Sequence, residues 1–453
     1  MNFFRSVSFF LATGAVIGMA TCAASIATAA QVNRVQLRET TAVFPSLEPE
    51  FAPLPGFAML SRRNSVPWGA TRFRASGALG RVGSVRETVV CGPSLAVNTL
   101  TCYALPVSRF VVDIPLPGAL SSAPVFYDDS WIATTTKGFA VRMRRDVAAA
   151  SAQPALRSDH FSFWGAESRK TMAQLKRDGQ LSADSYIWSY SLGTEIVGQP
   201  LVFEKTFFAF GANQFLYALD VATGRPRWTL RVAPDTSLRL EAAPLAAVPS
   251  ENQILVGTSE GILLALSAQN GAIVWRHRLD FSPGQRFPAI VAKPLVYEKS
   301  VIVSSAEGST ERVSFEKCSV ASDKCNGDNR AVEWRYPLGS IAAARRFDNG
   351  VVIGGHEGTV VLLDPRNGAV RWKTPAFSVG AVASMDSVLL AGTEYLLVAF
   401  TEGSIAVLDR VGKILDVLPP VGESTGEFFA GHDPAEVCLS FVTPGFRCFS
   451  LSL

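Results

Sequence analysis

One module recurs along this chain: a β run, a turn closed by Gly, a second β run, a second Gly turn and a strand carrying Trp. Such self-similarity dictates a repeat architecture, because each unit can bury its apolar faces only against its neighbours. The clearest copies are TFFAFGANQFLYALDVATGRPRWTLRV (206–232), QILVGTSEGILLALSAQNGAIVWRHRL (253–279) and GVVIGGHEGTVVLLDPRNGAVRWKTP (350–375). YLLVAFTEGSIAVLDRVGKILDVLP (395–419) keeps the turns and places an aliphatic residue where the Trp would stand. SVIVSSAEGSTERVSF (300–315) and SWIATTTKGFAVRM (130–143) reach Trp334 and Trp188 only after longer connections.

An apolar run precedes each copy, often opened by Pro, as in SSAPVFY, GQPLVFE, EAAPLAAV and AKPLVYE. Pro is tolerated at the start of a strand but not in mid-ladder, so each unit reads as four short strands, A to D. Trp188, Trp228, Trp275, Trp334 and Trp372 are spaced by 40, 47, 59 and 38 residues. That is the period of a propeller blade, and the five indoles read as packing wedges between blades. The turns Thr223-Gly224, Asn270-Gly271 and Asn367-Gly368 offer the positive φ of a tight hairpin.

Composition agrees with this reading. Hydrophobic residues make up 48% of 453, charged residues 18%, and mean hydropathy is +0.22. Past residue 30 no uncharged apolar run approaches the ~18–20 residues of a membrane span, so the excess belongs to a protein core. Stacked blades bury both faces of their inner strands, which explains unbroken runs such as YLLVAF. Forty-two Lys and Arg against 39 Asp and Glu give a net charge of +3, scattered along the chain, so no basic stripe points to nucleic acid.

The two ends complete the count. EFFAG, EVCLSFV and FRCFSLSL supply strands A, B and C of a last unit, and RETVVCGPS, LTCYALPV and SRFVVDIPL supply B, C and D of a first. The fold class is therefore all-β, an eight-bladed β-propeller of four-stranded antiparallel blades, with seven blades as the alternative. The N-terminal segment is expected to provide the missing outer strand of the last blade, since ring closure removes sheet edges. The organisation expected is a signal peptide at 1–30, a Pro-rich segment at 31–80, part of it closing the ring, and a single propeller at 81–453. An insertion at 147–184 interrupts one blade, and residues 167–179 within it have the spacing of a basic helix.

Residues 1–30 combine Arg5, an apolar stretch and a small-x-small site, the pattern of a secretory signal. Cys22 is either removed with it or lipidated, although Met19-Ala20-Thr21 departs from a lipobox. The other cysteines fall into local pairs, Cys91 with Cys102, Cys318 with Cys325 and Cys438 with Cys448. Six cysteines allow 15 connectivities, of which this one is the easiest to close, and it implies an oxidising compartment such as the periplasm. A metal site would want CxxC knuckles or neighbouring histidines, and neither occurs.

Catalytic signals are weak. Gly422-Glu423-Ser424-Thr425-Gly426 matches a nucleophile elbow, but Pro419-Pro420 precedes it and a β blade follows, so it reads as a loop. His160, His277, His356 and His432 are isolated in sequence. Four B–C turns align on a Glu before Gly, placing Glu260, Glu307, His356, Glu357 and Glu402 on one rim, a candidate patch for a basic protein partner.

The strand ending Ala218-Leu219-Asp220 or Leu362-Leu363-Asp364, followed by a Gly turn and Trp228 or Trp372, resembles the quinoprotein (PQQ-like) propeller repeat. Two kinds of protein use it: quinone-dependent dehydrogenases, and non-enzymatic propellers of the BamB type. The dehydrogenases carry a vicinal Cys-Cys pair, a Trp floor and a calcium site, and no Cys-Cys pair occurs here. The resemblance therefore implies a periplasmic, non-catalytic scaffold without cofactor, monomeric, whose partner is the outer-membrane β-barrel assembly machinery. Membrane contact would come through that partner or a lipid at Cys22. A PQQ- and calcium-dependent oxidoreductase and a generic periplasmic binding propeller are the alternatives.

Overall fold

Alternating apolar runs and Gly turns fold here as hairpins, and the hairpins associate into eight four-stranded antiparallel sheets among the described residues. The structure, a computed structural model, describes residues 35–43, 69–74, 86–93, 98–105, 109–128, 130–144, 186–232, 245–280, 288–317, 330–376, 380–420, 424–430, 435–441 and 446–452. The first of the described strands, β1 (Gln36–Val43), is set apart from the blade that follows it. Blade 1 comprises β2 (Gly69–Arg74), β3 (Arg86–Pro93), β4 (Thr99–Leu105) and β5 (Arg109–Pro115). Blade 2 comprises β6 (Val125–Tyr127), β7 (Ser130–Thr134), β8 (Phe139–Arg144) and β9 (Tyr186–Ser191). Blade 3 is β10 (Leu201–Phe203), β11 (Thr206–Phe210), β12 (Phe215–Asp220) and β13 (Pro226–Arg231). Blade 4 is β14 (Leu245–Val248), β15 (Gln253–Gly257), β16 (Ile262–Ser267) and β17 (Ile273–Arg278). Blade 5 is β18 (Leu295–Tyr297), β19 (Ser300–Ser304), β20 (Thr310–Lys317) and β21 (Arg330–Tyr336). Blade 6 is β22 (Arg345–Phe347), β23 (Gly350–Gly354), β24 (Val360–Leu363) and β25 (Val370–Lys373). Blade 7 is β26 (Val382–Leu390), β27 (Thr393–Phe400), β28 (Ile405–Leu408) and β29 (Ile414–Leu418).

Blade 8 has three strands of its own, β30 (Ser424–Ala430), β31 (Glu436–Phe441) and β32 (Phe446–Ser452), and β1 pairs antiparallel with β32 as the fourth. Leu37 of β1 enters the core shared by blades 7 and 8, and Thr40 Oγ1 donates to Glu436 at 2.5 Å. The A strands of most neighbouring blades touch one another, including those of blades 8 and 1, so they circle the centre and the ring is closed. Among the described residues the 31–80 segment thus contributes two strands, β1 and β2. Disulfides join Cys91 to Cys102 and Cys438 to Cys448, across directly opposed residues in the two blades that flank the closure. Cys22, Cys318, Cys325, residues 1–30 and the 147–184 insertion lie outside the described residues.

B strands such as β7, β11, β15, β19 and β23 are buried at every residue, which is why they read as unbroken apolar runs. Outer strands instead alternate, and their buried row grips the next blade. Trp188 donates its indole N–H to Val221 O at 2.7 Å, Trp228 to Ala268 O at 3.1 Å, Trp334 to Pro365 O at 2.7 Å and Trp372 to Arg410 O at 2.8 Å. Each acceptor lies in the following blade's C–D turn, and each ring covers that turn's glycine. A Cβ on Gly224 would come within 2.6 Å of Trp188, and one on Gly271 within 2.7 Å of Trp228. Glycine is needed there twice over, for its φ near +70° and for the absence of a side chain under the ring.

A β-bulge aims the indole. In blade 3 Trp228 pairs with Ala218 while Pro226 pairs with Leu219, leaving Arg227 as the extra residue. The same register shift precedes Trp188, Trp275, Trp334 and Trp372. An extra residue bends and twists the outer strand locally, turning the Trp back onto the next blade. Two blades add a buried arginine: Arg142 donates to Val221 O at 3.0 Å, and Arg312 donates to Pro365 O, so one carbonyl serves both Trp and Arg.

Two junctions depart from the pattern. Trp275 donates to Gln253 Oε1 in its own blade at 3.0 Å, and Arg330 of blade 5 lies over its ring at 5.4 Å. In blade 7 the expected aliphatic substitute for Trp is corrected: register places Asp416 there, opposite Val407. Its carboxylate accepts the Leu37 backbone N–H of β1 at 3.0 Å, so the closing strand is held by a charge-assisted hydrogen bond instead of an indole.

The Asp of the Leu-Asp signature fastens the C–D turn. Asp220 Oδ1 accepts from the Thr223 N–H and hydroxyl, both at 2.9 Å, and Oδ2 pairs with Arg227 at 2.6 Å. The Arg227 hydrogen bond, aided by Thr223 against partial burial, lowers this carboxyl from 3.8 to about 2. The stability it contributes is complete above 3.8 and is lost as pH falls from there through about 2. Asp220→Asn keeps an acceptor without the charge, so its melting temperature should fall less than the wild type's between pH 5 and pH 2. A second comparison isolates the indole contact. Gly392→Ala, at φ +78° in open space, should cost about 1 kcal/mol for the left-handed backbone alone. Gly224→Ala, under Trp188, should add roughly 1–3 kcal/mol of overpacking in urea unfolding.

Candidate functional site

The B–C turns of blades 4 to 7 carry the rim residues, but the side chains do not form a uniform ring. Glu260, His356 and Glu357 are exposed, whereas Glu307 and Glu402 are half-buried. Glu402 bends inward, accepting from the Ser404 hydroxyl at 3.0 Å. The useful geometry lies between blades 5 and 6, where Glu307, His356 and Glu357 line a cleft of ≈ 400 Å³ with Asp280, Arg335 and Lys373. His356 spans two blades, its Nε2 lying 2.5 Å from Ala306 O in the preceding B–C turn.

The floor is backbone, brought together by small residues. A Cβ on Gly339 of the blade 5–6 linker would stand 2.5 Å from Ala306 O, so linker and turn are packed main chain on main chain. Behind the wall lies a buried ionic network. His277 of blade 4 and Glu311 of blade 5 meet at 2.8 Å with side chains 1% and 0% exposed. Glu311 also accepts from the Asp280 N–H at 2.8 Å, Arg335 Nε at 2.9 Å and the Ser309 hydroxyl at 3.1 Å. Arg335 then reaches Asp280 at 2.8 Å. Burial pushes the Glu311 carboxyl up, but hydrogen bonds from His277 and Asp280 and the Arg335 charge outweigh it and hold the group below its ordinary value.

This network was not legible from spacing, which left His277 isolated. One signal was present: Thr310-Glu311-Arg312 stands where the equivalent strand of blade 4 reads Leu263-Leu264-Ala265. Glu311 ties blade 4 to blade 5 and sets the Arg335 guanidinium at the cleft wall. Glu311→Ala would strand a buried His277 and a partly buried Arg335, and should cost about 3 kcal/mol in urea unfolding. The Trp residues are occupied elsewhere: Trp188, Trp228, Trp275, Trp334 and Trp372 all donate to protein acceptors. Among the described residues no three His, Cys, Asp or Glu side chains group as metal ligands.

Comparison with known proteins places this geometry. The family model described as outer membrane protein assembly factor BamB matches residues 131–374, more than half of the chain. Outer membrane protein assembly factor BamB of Shewanella oneidensis is 24% identical over 256 residues, 50% of this chain and 59% of that protein. The protein of the same name from Moranella endobia is 22% identical over 247 residues, 52% of this chain and 60% of its own length. The matched stretch therefore spans about three fifths of these curated relatives. Among solved structures, BamB from Moraxella catarrhalis superposes with a TM-score of 0.57 at 13% identity, covering 85% of this chain and 99% of that one. Sqt1 of Saccharomyces cerevisiae gives 0.55 at 11% identity, covering 81% and 93%, a likeness of fold alone. The repeated blades, their Trp contacts and the extent of the family match together make this chain a member of the outer membrane protein assembly factor BamB family.

Proposed function

We propose that this chain is a non-catalytic periplasmic scaffold in outer-membrane β-barrel protein assembly, docking a protein of the assembly machinery at the blade 5–blade 6 cleft. Family membership supports the process. The single observation that supports the place is that cleft, whose floor and walls come from consecutive blades and are braced by the Glu311 network. A rigid site presents its polar groups without an ordering cost on binding, which suits a protein that acts by positioning others. Exposed His356 and Glu357 offer the partner a hydrogen bond and a charge at its centre.

The reading requires no cofactor. A quinone site would need an indole free to lie against the ring; Trp188, Trp228, Trp275, Trp334 and Trp372 are engaged in blade contacts and Trp131 is buried, whereas Trp68 and Trp164 lie outside the described residues. The chain would act as a monomer, held near the membrane by its partner or by a lipid at Cys22.

Affinity capture from the native envelope tests this. The wild-type chain should recover components of the barrel-assembly machinery, and Glu357→Lys, at an exposed residue, should recover about tenfold less at an unchanged melting temperature. Recovery of none of them by the wild type would favour a generic binding propeller. Turnover of alcohols or sugars after addition of PQQ and calcium would overturn the scaffold reading altogether.

A further inference from the structure

Charge that is scattered along the sequence is gathered by the fold. The outer strands of four consecutive blades, β13, β17, β21 and β25, carry Arg227, Arg231, Arg276, Arg278, Arg330, Arg335, Arg371 and Lys373 against one acidic residue, Glu333. That excess on four strands is larger than the net +3 of the whole chain. Most of it is answered locally: Arg227 meets Asp220, Arg335 meets Asp280 and Glu311, and Arg371 meets Asp364. Arg231 lies over Phe215 and Arg330 over Trp275.

Blade 4 is different. Arg276 and Arg278 are exposed, and among the described residues neither meets a carboxylate; Arg278 only approaches the Glu260 carbonyl at 3.5 Å. Beside them Ile273 and Val274 are each 46% exposed. Trp275 and His277 form the opposite row, buried against blade 5. β17 ends its sheet, so its outer edge carries backbone N–H and C=O groups that no described strand pairs. Neighbouring edges are less open: β13 begins with Pro226, β21 carries Glu333, β25 has four residues and β29 carries Asp416.

We propose that the outer edge of blade 4 is a docking site for an extended acidic segment of a protein partner, which adds as a fifth strand along residues 275–278. Its carboxylates lie beside Arg276 and Arg278, and an apolar residue covers Ile273 and Val274 where the bulge ends the regular edge. Charge complementarity selects an acidic segment, and the open backbone groups select a polypeptide over an anionic bilayer, which has no strand to pair with them. The proposal deepens the scaffold reading and rests on it for the existence of a protein partner.

A fluorescein-labelled octapeptide alternating valine and glutamate, titrated into the full chain and followed by anisotropy, tests it. Saturable binding is expected, weakened at least about tenfold by Arg276→Glu/Arg278→Glu. Arg225→Glu, the same substitution made once at an exposed turn of blade 3, should leave binding within about twofold. If the double variant melts lower than the wild type, Arg276→Gln/Arg278→Gln replaces it with the same expected direction. Equal binding by the double variant, or by a valine–glutamine peptide, would overturn the proposal. So would binding to phosphatidylglycerol vesicles without binding to the peptide. A chain that captures the assembly machinery yet ignores the peptide sinks the edge site and leaves the scaffold reading standing.

Discussion

An indole laid across the glycine of the next blade's turn is the contact on which this ring depends. Each four-stranded sheet has two apolar faces and cannot be stable alone, so the fold exists only if every blade is registered against the next. Trp188, Trp228, Trp334 and Trp372 achieve this by covering the turn and by donating to a carbonyl inside it. A hydrogen bond beneath a packed ring fixes translation and rotation together, which apolar contact alone does not. The bulge ahead of each Trp belongs to the same device, since a regular strand would not turn the ring toward its neighbour.

Where the device is missing, another interaction replaces it. Arg330 rests on Trp275 where blade 5 has a longer C–D connection. At the ring closure, Asp416 takes the Trp position and holds β1 through the Leu37 N–H. Disulfides staple hairpins on both sides of that junction, the place where the chain ends meet and covalent continuity is lost. Blades 4 and 5 are joined instead by the buried His277–Glu311 pair, with Arg335 and Asp280 carrying its charge out to the surface. The same network that registers these blades stiffens the cleft beside it, so stability and the candidate site are coupled there.

The repeat was legible because its causes are local. Gly224, Gly271 and Gly368 announce turns, Pro124, Pro200, Pro244 and Pro294 announce strand starts, and the spacing of Trp announces the blade. The B–C rim was legible for the same reason, since Glu260, Glu307, Glu357 and Glu402 align within equivalent hairpins. Their different fates were not: Glu402 turns inward to Ser404 while Glu357 faces solvent. His277 and Glu311 are 34 residues apart and belong to no motif, so only the stacking of blades brings them within 2.8 Å.

From the chain alone come the architecture, the blade count and the positions of the wedges, because hairpin geometry and repeat period are written in residues a few places apart. The charge distribution, the cleft and the ring closure are properties of the assembled ring. Lys and Arg look evenly spread when read in order, yet the outer strand of every blade is also the outer wall of the ring, and the fold collects them there. Aspartate at 416 carries no message until β1, nearly four hundred residues earlier, arrives beside it. Repetition can be read along the sequence, whereas anything that depends on one blade meeting another is set by three-dimensional packing.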